Sequence, residues 1–261
     1  SGTTYDCTWV AGMKGNRPPY THHKQQDTGA LYVHLRGERL ILDPGYYQGD
    51  ARHHTLPLVK DGGVPEMPYW LGVRQGEIIE CRSVGDVRYL ACDSSRFYDA
   101  SVKRVVRHLV MVGDEGLVLL DDIVIEGAKP VAAQYQCGGE PEDLADGRSL
   151  LIHGRDAKLR LDLLSRKGLS LNVRKEIELS TLKWGYSFAE CRWFPVKGWY
   201  RAAERDPLVT TFVDATETDP GRPELKRRKD RLVVTLPSGR DVAFVYQGER
   251  WTVDLPLSDG E

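Results

Sequence analysis

An all-β fold, a large antiparallel two-sheet β-sandwich, is what this sequence predicts, and three observations carry the prediction. Apolar and polar residues alternate with the period of two that turns one face of a strand toward a core. Paired apolar runs are joined by short Gly/Asp/Ser turns, as antiparallel hairpins require. No stretch carries the apolar period of a long amphipathic helix.

The first hairpin lies in ALYVHLRGERLILD. Leu31, Val33 and Leu35 alternate with Tyr32, His34 and Arg36, the chain turns at Gly37-Glu38, and Leu40 and Leu42 resume the pattern. The same rhythm returns in EIIECRSVGDVRYLACDSS, VKRVVRHLVMVGDEGLVLLDDIVIEG, SLLIHGRDAKLRLDLLS and RLVVTLPSGRDVAFVYQGERWTVDL. Cys137–Ser149 and Asp214–Glu224 are expected as loops, and neither is long enough to be an interdomain linker, so residues 1–261 are taken as a single domain. The basic run Leu225–Asp230 is expected as a solvated loop that enters a strand. Arg104 and Arg107 are assigned to the solvent face of their strand, and His34, His108 and His153 to structural positions. The six tryptophans are assigned to core and rim.

Composition narrows the classes of function. With 261 residues, 41% hydrophobic and 28% charged, the chain is ordinary globular material able to bury a large core. A net charge of −2 with both signs interspersed offers no field for nucleic acid. The apolar runs are cut by GDEG, far short of the roughly eighteen residues of a membrane-spanning helix. Five widely spaced cysteines without a CxxC pair argue against a zinc ribbon or a disulfide framework, leaving a Cys81–Cys92 bridge across a hairpin as the pairing to test. No leader begins at Ser1, so any signal peptide is expected to have been removed or never to have been included.

Five of the seven histidines fall between His22 and Thr55. If the hairpin pairs around Gly37, the start of its first strand lies beside the end of its second, which brings His23 and Gln25 toward Asp43. The loop beyond Pro44-Gly45 can then return His53 to them. Imidazole with carboxylate is what a zinc-class ion accepts, and a buried Asp at a strand end is costly unless paired or metal-bound. The competing reading makes Asp43-Pro44-Gly45 a turn in which the Asp bonds its own backbone, with the histidines as polar strand ends.

HHKQQDTGALYVHLRGERLILDPGYY followed by HHT resembles the heparinase II/III-like family of polysaccharide lyases. That family carries HxHxD, a strand, a glycine turn, an LxDxG strand end and an HNT triplet. His23–Asp27 falls on the first motif, Leu42–Gly45 on the strand end and His53–Thr55 on the triplet. SVKRVVRHLVMVGDEGLVLLDDIV, KWGYSFAE and PLVTTFVDAT are similar, more weakly, to the family's later strands.

The resemblance implies that His23 is the catalytic histidine facing the cleft, and that Asp43 and His53 hold a metal, usually zinc. The remaining family ligand is a histidine where this chain has Gln25, and an amide oxygen is a poorer zinc ligand, so the site is expected to be empty, weakened, or completed by His22 or His54. His54 stands where the family has Asn, and the triplet register favours His53 as the inward residue. Tyr46 and Tyr47, with Tyr20, are candidates to line the substrate cleft by stacking on sugar rings, or equally to cap the hydrophobic edge of the sandwich.

The reaction implied is β-elimination in an acidic, uronic-acid-containing polysaccharide, in a bacterial periplasmic or secreted setting. The family's sandwich follows a helical toroid that supplies the rest of the catalytic apparatus. A toroid is therefore expected before Ser1, a start without methionine fits an excised segment, and the sandwich alone is expected to be inactive. The alternative is a non-catalytic carbohydrate-binding or structural sandwich. A cupin-like metal enzyme ranks last, because His22 and His23 are adjacent and no suitably spaced Glu follows.

Overall fold

Strands account for nearly all of the regular structure in the computed structural model, which describes residues 8–14, 27–43, 51–60, 76–144, 146–165, 169–173, 178–184, 187–202 and 205–255. The chain begins with β1 (Trp9–Met13), β2 (Leu31–Leu35), β3 (Glu38–Ile41) and β4 (Leu58–Val59). There follow β5 (Glu77–Val84), β6 (Val87–Asp93), β7 (Val102–Val112), β8 (Gly116–Ile125) and β9 (Pro130–Cys137). Next come β10 (Glu140–Asp143), β11 (Ser149–His153), β12 (Lys158–Leu163), β13 (Asn172–Val173), β14 (Glu178–Trp184) and β15 (Ser187–Arg201). The last are β16 (Leu208–Asp214), β17 (Glu224–Arg228), β18 (Arg231–Thr235), β19 (Asp241–Tyr246) and β20 (Trp251–Val253). Among the described residues the only helical segments are single 3₁₀ turns, and no helix is long and apolar enough to cross a membrane.

Three antiparallel sheets result. The first runs β1-β2-β3-β9-β15-β13, with β4 also on β9 and β14 on β15. The second runs β10-β11-β12-β16-β8-β7-β6-β5, and the third β17-β18-β19-β20. The first hairpin forms as expected, its turn falling on Arg36 and Gly37, both at positive φ. Glycine adopts that conformation without the steric cost of a Cβ.

Leu31, Val33, Leu35 and Tyr135 from the first sheet meet Leu109, Leu119, Leu161 and Phe212 from the second in the largest core. The opposite face of the second sheet is also covered. Val110, Val118, Leu120 and Val209 pack under Leu232, Val234, Phe244 and Trp251 of the third sheet. The two-sheet expectation is thus extended by a third layer, and this explains the unbroken apolar runs Leu109–Val112 of β7 and Leu117–Leu120 of β8: a stretch buried on both faces has no solvent side to leave polar.

Three local expectations are corrected. The Cys137–Ser149 stretch is not all loop, since Glu140–Asp143 pairs with β11. Leu225–Asp230 is mostly strand: β17 pairs residue by residue with β18, and only the turn at Lys229-Asp230 lies outside it. No Cys81–Cys92 disulfide forms; both thiols are free, because the register sets Cys81 opposite Leu90 and Cys92 opposite Ile78, offset along the ladder beyond the reach of an S–S bond.

Candidate functional site

Between β3 and β4 the chain leaves the first sheet and returns to the same edge of β9. Ile41 pairs with Cys137 at one end of β9, and Leu58 pairs with Ala132 toward the other. The returning limb, Ala51–Leu56, runs beside β9, and its Ala51 and Leu56 pack with Val105, Ile123 and Val131. Two glutamines of β9 hold it there. Gln134 donates from Nε2 to the carbonyls of Ala51 and His54, and Gln136 donates to that of Arg52 at 2.9 Å. The Thr55 hydroxyl accepts from the Gln136 backbone N–H at 2.9 Å. The amide nitrogens of two buried polar side chains in an otherwise apolar strand thereby find acceptors.

A second set of contacts ties this limb to the turn that precedes β2. Leu31 N–H donates to Thr55 O at 3.0 Å, and Gly29 N–H to Lys14 O at 2.8 Å. Gly29 has a φ of +79°, and a Cβ there would press on Ser94. The buried guanidinium of Arg107 donates from Nη1 to the carbonyls of both Gly29 and Thr55. Arg107 is neutralised by Asp121, its partner across the β7–β8 ladder, through Nε–H···Oδ1 at 2.7 Å. It is 2% exposed, so its assignment to a solvent face is corrected.

Where these segments converge, Asp27, Asp43 and His54 each present a ligand atom, all within 4.8 Å of one another. Asp27 is 1% exposed and His54 fully buried. His54 Nδ1 and Asp43 Oδ2 are 3.1 Å apart. Lys14 Nζ donates to Asp27 Oδ2, while Asp27 Oδ1 and His54 Nε2 have no hydrogen-bond partner among the described residues. Tyr32 stands beside the cluster; burial, with the charges of Asp27 and Asp43, raises its pKa and keeps the phenol protonated.

The cluster differs from the ligand set expected from the sequence. Asp43 is present, but its imidazole is that of His54 and not of His53. The 3₁₀ turn at Ala51–His53, closed by His54 N–H to Ala51 O at 3.2 Å, sends successive side chains in different directions. His53 turns to β15 and sets its ring edge-on to Trp193, with centroids 6.3 Å apart. Asp27 is the residue that sequence reasoning passed over, although it ends the HxHxD segment. His23, Gln25, Tyr46 and Tyr47 lie outside the described residues.

Two carboxylates and an imidazole are donors that a zinc-class ion accepts, and the unsatisfied, buried Asp27 Oδ1 is what a bound cation would satisfy. The residues therefore fit a divalent ion, and Lys14 is already paired with one of them.

No known family profile matches the sequence, and no curated protein matches it. Solved structures do. Heparinase III, the BT4657 gene product, superposes with a TM-score of 0.69 at 13% identity, over 90% of this chain and 38% of that one. The heparan sulfate lyase HepC from Pedobacter heparinus gives 0.69 at 13% identity, over 97% of this chain and 40% of that one. A further heparinase III gives 0.68 at 9% identity over 91% and 39%. The fold is that of a heparinase III β-sandwich. At such identities the likeness is one of fold, and the chain spans about two fifths of the length of the structures it matches.

Proposed function

We propose that this chain is the β-sandwich portion of a heparinase II/III-like polysaccharide lyase that acts by β-elimination on a uronic-acid-containing polysaccharide. The observation that supports this reading is the Asp27–Asp43–His54 cluster, which joins the segments before β2, after β3 and before β4 in a fold shared with heparinase III. Those segments lead in sequence to His23 on one side and to Tyr46 and Tyr47 on the other. Fixing Asp27 and Asp43 restrains the residues proposed to meet substrate.

In such an elimination, a base removes the proton next to the uronate carboxylate, a carbon–carbon double bond forms, and the glycosidic C–O bond breaks as an acid protonates the leaving oxygen. Histidine suits one of these transfers because its pKa lies near working pH. We assign that role to His23, and sugar stacking to Tyr46 and Tyr47. Zinc, when bound, would cross-link Asp27, Asp43 and His54 and so brace the loops beneath the cleft. The remaining catalytic groups would come from a helical toroid, so the sandwich alone would be inactive, and a polyanionic extracellular substrate implies a periplasmic or secreted protein.

Two measurements test this. In the complete protein, formation of unsaturated uronate from acidic polysaccharides, followed by ultraviolet absorbance, is expected to fall by at least about a hundredfold in His23→Ala; activity close to the parent's would remove His23 from the chemistry. In zinc titrations by calorimetry, binding is expected to be lost in Asp43→Ala and His54→Ala and kept in His53→Ala. Loss in His53→Ala with retention in His54→Ala would return the ligand role to His53.

A further inference from the structure

The cluster already holds a cation of its own. Lys14 Nζ is ion-paired with Asp27 Oδ2, and the lysine side chain is 37% exposed against 1% for Asp27. The pair is not an accident of a long side chain on a free surface, because the backbone around Lys14 is locked to the same turn: Lys14 N–H donates to Ala30 O at 3.1 Å and Lys14 O accepts from Gly29 at 2.8 Å. A buried carboxylate needs a positive partner, and here a side chain supplies it from the end of β1.

We propose that Lys14 is the resident counter-ion of the site and that it competes with a divalent metal for Asp27. The competition rests on the metal-site reading above and follows from charge and space. Without Lys14 the two carboxylates carry a charge of −2, the environment that favours a divalent cation. With Lys14 in place one of those charges is spent, and an ion drawn to the donor atoms of Asp27, Asp43 and His54 meets an ammonium at the same carboxylate. Two cations at such separation repel strongly in a poorly solvated site. Metal therefore enters as the ammonium swings out toward solvent, a movement that its partial exposure allows. In the metal-free protein Lys14 braces the turn to β1.

The test compares parent, Lys14→Met and Lys14→Arg, each first stripped of metal with a chelator. Thermal unfolding is followed by circular dichroism, and zinc affinity by calorimetry. Lys14→Met is expected to unfold at lower temperature when metal-free, to recover on addition of zinc, and to bind zinc roughly tenfold or more tighter than the parent. Lys14→Arg, which keeps the charge, should bind no tighter than the parent. Equal zinc affinity in parent and Lys14→Met would overturn the competition while leaving the metal site standing. Absence of zinc binding from all three would overturn both, and the circular dichroism shows in each case whether the variant is folded.

Discussion

Replacing Arg107 by methionine is expected to lower the free energy of unfolding by about 3–5 kcal/mol, measured by urea denaturation at neutral pH. Arg107 and Asp121 are 2% and 3% exposed. Removing the guanidinium strands a buried carboxylate and takes a donor from the carbonyls of Gly29 and Thr55. The cost should come mainly from the unpaired Asp121, so adding Asp121→Leu to Arg107→Met should recover much of it. A double variant as unstable as the single one would mean that the backbone contacts to Gly29 and Thr55 dominate. Either way the turn at Asp27 loses one of its ties to the limb that carries His54, and the zinc affinity of the single variant should fall with its stability.

Arg107 also marks where the sequence was opaque. An arginine three residues from Arg104 in a strand points to the opposite face, so the two cannot share a solvent side. In the structure Arg107 turns toward the first sheet, while Arg104 bonds Asp122 at 3.0 Å on the other face. The charge partners Asp121 and Asp122 stand in the neighbouring strand of the same hairpin, and pairing that hairpin about its GDEG turn places Arg107 opposite Asp121. That signal was present in the sequence. The carbonyls of Gly29 and Thr55 were not foreseeable, because contacts so distant in sequence leave no pattern in it.

The hairpins were legible because each is local: turn chemistry and alternation act over a dozen residues, and they placed β2–β3, β5–β6, β7–β8, β11–β12 and β18–β20. The third sheet was only partly legible. The runs LVMV and LVLL break the alternation expected of a sheet with one wet face, and burial under Leu232, Phe244 and Trp251 is the cause. Site geometry was least legible. The spacing of HHT does not say which imidazole points inward, since a 3₁₀ turn of one residue more or less exchanges His53 and His54. Gln134 and Gln136, which set that turn's place on the sheet, stand some eighty residues away.

Acid is expected to loosen the protein first at the junction of the second and third sheets. His108 is 1% exposed, stacks on Tyr89 with ring centroids 6.0 Å apart, and meets the ring of Phe244 edge-on at 6.4 Å. Its Nδ1 lies 2.8 Å from the Tyr89 hydroxyl. Burial, then the charges of Arg250 and Arg104, push its pKa from 6.5 down to about 3. The unfolded chain therefore takes up a proton below about pH 6.5 that the native state refuses until about pH 3. Since the unfolded state binds more protons in that window, stability falls as pH drops through it, by about 1.4 kcal/mol per unit once well inside. His108→Gln keeps a polar group beside Tyr89 and removes the titration. Its stability curve should be flatter than the parent's between about pH 6 and pH 4, whatever the carboxylates contribute to both. Hydrogen exchange at the acid end should show β17–β20 opening in the parent before β11, β12 and β16. Parallel stability curves for parent and variant would mean that His108 accepts its proton inside the folded protein, and hence that the third sheet admits water at neutral pH.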